Sequence, residues 1–217
     1  METILGAACI VAIAALLWAY RGRRSKGASA WLEQGPSADY RSVTRRIQEM
    51  LEPIGWPVGG EKSGRAHSLS VGGRAAFFIE VAYDVPTTNM FAIIGGLRAS
   101  NQEQRAYAVL GSGAPEFTVA PKGVFGRPPA PIVLAEDRAF ARAFWVQGDD
   151  ERAIRRYLGQ ELRSFLLDQE GPWRLHARPA GVALVREGRM ATPDQAQVTR
   201  TLERLVMAVE AAERGRQ

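Results

Sequence analysis

The stretch Trp173-Arg174-Leu175-His176-Ala177-Arg178-Pro179-Ala180-Gly181-Val182-Ala183-Leu184-Val185-Arg186 decides the fold class. Trp173, Leu175 and Ala177 alternate with Arg174, His176 and Arg178. A period of two puts successive side chains on opposite faces, which predicts a half-buried strand with the two arginines and the histidine on its polar face. Pro179-Ala180-Gly181 turns the chain, and Val182 to Arg186 is the partner strand. A β-hairpin in the last third of the chain implies an antiparallel sheet.

Helices flank this hairpin on both sides. Upstream, Phe140 and Phe144 lie four apart, and Val146 and Gly148 precede Asp149-Asp150. One helix is expected next, with Ile154, Tyr157, Leu158, Leu162, Phe165 and Leu166 on one face. The carboxylates of Asp149, Asp150 and Glu151 suit its electropositive N-terminus. Downstream, Glu187-Gly188 turns the chain, and Thr192-Pro193-Asp194-Gln195 matches a capping box with proline at the first helical position. The closing helix is expected to bury Val198, Leu202, Leu205, Val206 and Val209.

The residues from Phe140 to Leu158, including Val146, Asp149, Asp150, Ala153, Arg156 and Tyr157, resemble a module of a bacterial membrane-anchored protein family of unknown function. That module has Phe-x-x-x-Phe-x-Val, an Asp opening a helix, a strand pair and a closing helix. The resemblance spans residues 135–213. It implies the architecture only, because the family has no assigned activity and no catalytic motif to transfer.

Further toward the N-terminus, residues 66–120 read as short strands. Phe77, Ile79 and Val81 alternate with Ala76, Phe78 and Glu80, and Met90 to Ile94, Ala106 to Leu110 and Phe117 to Ala120 are further runs. The gaps between them are too short for crossover helices, so the connections are expected to be antiparallel. Tyr40, Val43, Ile47, Met50 and Leu51 predict a first helix over residues 38–52, with Ser37 as N-cap and Pro53 as its stop. Pro121, Pro128, Pro129 and Pro131 punctuate residues 121–135, read as a loop with polyproline character.

Residues 4–20 contain no charge and no proline. A helix of this length reaches the short end of the roughly 17–25 residues that span a bilayer. Trp18 and Tyr20 sit at one end, where amphipathic rings favour the headgroup level, and Arg21, Arg23, Arg24 and Lys26 follow. A cleaved signal peptide carries its cations before the apolar run; here only Glu2 precedes it, although Ala28-Ser29-Ala30 imitates a cleavage site. The order favours an uncleaved anchor in lipid, with the N-terminus outside and the rest cytoplasmic.

The sequence therefore divides into an anchor with a basic flank (1–26), a linker (27–36) and a soluble α+β domain (37–217). The domain is expected to hold a mainly antiparallel sheet and about three packed helices. The formal charge of +5 and pI near 9.8 first suggest nucleic acid. Residues 1–26 alone carry +3, so the domain is nearly balanced, and no nucleic-acid-binding pattern accompanies it. The single cysteine, Cys9, excludes a disulfide framework and a cysteine zinc site.

No catalytic motif is complete. Gly59-Gly60-Glu61-Lys62-Ser63-Gly64 fails as a phosphate loop, because Trp56 and Glu61 stand where it needs glycine. Gly111-Ser112-Gly113 lacks the flanking spacing of a nucleophile elbow. Glu136-Asp137 and Asp149-Asp150-Glu151 lack the order of ligands in a calcium loop and read as helix caps. His67 reads as a surface histidine. His176 reads the same way, with a sharper alternative in which Arg174, His176 and Arg178 form a row that binds an anion. No catalytic residue, cofactor or metal is assigned. The leading functional reading is a non-catalytic protein-interaction or assembly module at the membrane, with an unidentified protein partner. The alternatives are a sensor of anionic ligand or lipid and an unrecognised enzyme.

Overall fold

A computed structural model describes residues 40–56, 61–86, 99–188, 191 and 193–215. The proposed anchor at 4–20, Trp18, Tyr20, the cations Arg21, Arg23, Arg24 and Lys26, and the run Met90 to Ile94 lie outside the described residues. Among the described residues no helix is long and apolar enough to cross a membrane.

Among the described residues seven strands form one sheet. They are β1 (Glu61–Val71), β2 (Arg74–Pro86), β3 (Ala99–Leu110), β4 (Phe117–Pro121), β5 (Phe144–Gly148), β6 (Arg174–Arg178) and β7 (Gly181–Glu187). The spatial order is β1-β2-β3-β7-β6-β4-β5, and every neighbouring pair is antiparallel. The fold is α+β with an antiparallel sheet, as the hairpin at 173–186 implies. Gly72 and Gly73, both with positive φ, make the two-residue turn that joins β1 to β2. Strand β1 lengthens the sheet beyond the expected start at residue 66, because Gly64 and Arg65 pair with Val81 and Glu80.

Helices cover both faces. One face holds α3 (Arg138–Ala143), α4 (Glu151–Tyr157), α5 (Gln160–Leu167) and α6 (Gln195–Arg214). They pack Phe140, Ile154, Tyr157, Leu162, Phe165, Leu202 and Val209 against Phe78, Val119, Leu175 and Leu184 of the sheet. The opposite face carries α1 (Tyr40–Arg46), α2 (Gln48–Leu51) and a 3-10 turn (Glu52–Ile54). There Tyr40, Val43, Ile47, Met50 and Leu51 meet Phe77, Ile79, Val81, Ala106 and Ala183. Two glycines permit this approach. A Cβ at Gly64 would lie 2.6 Å from the Tyr40 ring, and one at Gly181 would lie 2.3 Å from the Val109 carbonyl oxygen and 2.6 Å from the Met50 sulfur.

The expected three helices are each modified. The helix over 38–52 breaks at Ile47, whose φ of −114° leaves the helical region. The Thr44 hydroxyl donates to the Tyr40 and Arg41 carbonyls, a back-bonding pattern that bends helices. The helix expected from Asp149 to Leu166 breaks at Leu158, and Gly159 opens α5 in extended geometry. The closing helix begins two residues later than the expected box implies, with Asp194 as its N-cap; Thr192 lies outside the described residues. The Gln197 amide donates to Asp194 Oδ1 at 2.7 Å, and the Asp194 amide donates to Gln197 Oε1 at 3.0 Å. Both registers satisfy the pattern; a carboxylate cap and a glutamine that reaches back select the second.

The segment 121–135 holds no helix and no strand of the sheet beyond Pro121. Ile132 donates its amide to Val146, so the proline-rich loop runs beside β5 and covers part of that edge.

Candidate functional site

Strand β6 puts Arg174, His176 and Arg178 on one sheet face, the face that also carries α1 and α2. Their cross-strand neighbours on β7 are Val185, Ala183 and Gly181. Each member of the row has a different environment. Arg174 forms an ion pair with Glu187, and its guanidinium stands 4.5 Å over the Phe125 ring. Arg178 forms an ion pair with Glu116.

His176 lies between them and is 9% exposed, not the surface residue that the alternation suggests. The sheet is covered on both sides here, so Leu175, His176 and Ala177 are all buried. Nδ1 is 3.4 Å from the Thr118 hydroxyl of β4, and Nε2 is buried without a hydrogen-bond partner. Burial first, and the Arg174 charge second, push its pKa down to about 4. The imidazole is therefore neutral at neutral pH. An incoming anion would meet two arginines already holding carboxylates and an uncharged ring between them.

His67 is also buried, and burial lowers its pKa. It pairs with Phe78 on the opposite face of the sheet from His176, so the two histidines do not converge.

The acidic clusters are occupied by the helices. Asp137 accepts from the Phe140 amide at 3.0 Å and Asp150 from the Ala153 amide at 2.9 Å, which caps α3 and α4. Glu136 and Glu151 both engage Arg155, and Arg163 approaches Glu136 and Asp137 at 3.5 Å. Among the described residues no group of three side chains is placed to hold a metal ion.

Two features had little signal in the sequence. Arg105 and Glu80 form an ion pair at 2.5 Å on adjacent strands, and Arg105, 4% exposed, also donates to the Ala191 carbonyl. Nearby Tyr107 has its pKa pushed up to about 12, chiefly by burial. Strand alternation alone could not show that Ala191 and, from α6, Thr201 would lie against these polar positions.

The second is an open groove of about 410 Å³ between α5 and α6. Phe165, Ala208 and Ala211 form its apolar side, with Glu161, Arg204 and Arg214 at its rim. Met207, facing the groove, is 66% exposed, the most exposed large apolar side chain among the described residues. Position 207 falls outside the buried stripe of α6, and that displacement is the one signal the sequence carried.

Comparison with protein families, with curated proteins and with solved structures finds no match.

Proposed function

We propose that the chain is a single-pass membrane protein whose α+β domain is a non-catalytic interaction module. Residues 4–20 are the proposed anchor. The cations Arg21, Arg23, Arg24 and Lys26 favour an outside N-terminus and a cytoplasmic domain at the inner membrane. The observation that carries the interaction reading is the α5–α6 groove. An exposed methionine beside an apolar floor and a charged rim is suited to an amphipathic helix of a protein partner, because methionine adapts its shape to what it meets. The rim carries both charge signs, so a partner helix with apolar anchors flanked by Lys and Glu complements it.

A photo-crosslinking residue at position 207, in the full chain in its own membrane, should give a discrete protein adduct. The same probe at exposed Ser70, on the other side of the sheet, should not. Absence of an adduct at 207, or identical adducts at both positions, would remove the support for this reading. Protease added to intact and to inverted membrane vesicles tests the orientation; cleavage of the domain in intact cells stripped of their outer layers would reverse it.

A sensor of anionic ligand or lipid is the second reading. The row Arg174, His176 and Arg178 offers it little free charge, so it depends on other surfaces of the domain.

A further inference from the structure

A different part of the molecule carries free positive charge. The turn Lys122-Gly123-Val124-Phe125 projects from the end of β4, with Gly123 at a φ of +86° and Lys122 bridged to Phe125. Val124 at its tip is 60% exposed. The Lys122 ammonium stands 3.8 Å over the Trp145 ring and donates to the Ala141 carbonyl. The Arg127 guanidinium stands 5.5 Å over the same ring.

Arg142 is exposed, and its neighbours Ala141 and Ala143 both accept hydrogen bonds from Lys122. Among the described residues, none of these three cations has an ion-pair partner. Val133, 54% exposed, lines the dent beside Lys122 and Trp145.

Three uncompensated cations, an indole and two exposed valines have the composition of a surface that rests on a bilayer. The cations face phosphates, the ring suits the headgroup level, and the valines gain by leaving water. A single-stranded nucleic acid fits less well. The Trp145 ring that a base would stack on already has Lys122 and Arg127 over it, and the valines would gain nothing.

We propose that the turn at 122–125 docks the domain onto an anionic lipid surface, with Val124 entering the interface and Lys122, Arg127 and Arg142 facing the headgroups. The proposal rests on the anchoring reading, because a span at 4–20 would keep the domain at high effective concentration beside the bilayer.

The test uses the full chain with C9A and V124C, carrying an environment-sensitive fluorophore, in phosphatidylcholine vesicles with and without phosphatidylglycerol. The expected result is a blue-shifted emission, quenched by nitroxide lipid, only when phosphatidylglycerol is present, and weakened by salt. Adding K122E and R127E should lower the docked-to-free ratio at least about 25-fold, since each cation contributes roughly a factor of five. The same fluorophore at M207C, on the other side of the sheet, should stay unshifted in both backgrounds, and the charge-reversed chain should keep the far-UV and near-UV dichroism of the natural one, which reports that it is folded. A chain that fails to float with vesicles overturns the anchoring reading and this proposal with it. A chain that floats with an unshifted label at position 124, or with equal shifts at 124 and 207, overturns the docking proposal alone.

Discussion

The buried imidazole of His176 makes the stability of the domain depend on pH. Its folded-state pKa of about 4 lies below the 6.5 of an unfolded chain, so the unfolded state binds the proton more tightly. The native state is therefore fully favoured above pH 6.5, and this contribution is lost as the pH falls from 6.5 toward 4. By linkage the loss by pH 5 is about 2 kcal/mol. Urea unfolding at pH 7.5 and pH 5 should show this drop in the natural chain and a much smaller one in H176Q; an equal drop in both would assign it to other groups. At Gly64 the constraint is steric, since an added Cβ meets the Tyr40 ring at 2.6 Å. G64A should cost about 1–3 kcal/mol by overpacking, read as a lower urea midpoint. The alternation of a strand was legible at residues 173–178, but not that both of its faces would be covered. Alternation reports a period, and the burial of His176 depends on what a distant segment lays over it.

Among the elements, α6 has the best-defined start. D194A removes one hydrogen bond of the observed cap and should cost about 1 kcal/mol of stability, measured by chemical unfolding. A value near zero would mean that the box at Thr192 carries the helix start instead. The elements of the last third were the most legible, because β6 alternates, β7 is a continuous apolar run set off by turns, and the apolar stripe of α6 repeats at helical spacing. The breaks at Ile47 and Leu158 were not. Each interrupts a stripe of apolar residues that continues in phase across it, and the cause is local: back-bonding from Thr44 in one case and a glycine at 159 in the other. The sharing of one proline-rich segment between the β5 edge and the basic turn was also hidden, since it depends on strand order.

For the whole molecule, the sheet is the shared wall of two apolar clusters. Ile47 fills the cluster under α1 and α2, and Leu202 fills the one under α6. Truncation to alanine at either site should cost about 2–5 kcal/mol. Because both clusters press on the same strands, I47A and L202A should each lower the midpoint of a single unfolding transition seen by far-UV and near-UV dichroism alike. Two separated transitions in I47A would show that the two faces are independent units. The strand order has a further consequence, for the birth of the chain rather than its finished form. Strand β3 finds its second neighbour, β7, only after the 70 residues between Leu110 and Gly181 have been made. At typical synthesis speeds that is a wait of roughly 4–14 s with a long sheet edge unprotected. A nascent chain released at Ala180 should therefore be held by chaperones or aggregate, and a soluble, monomeric product of that truncation would show that the first three strands shield themselves.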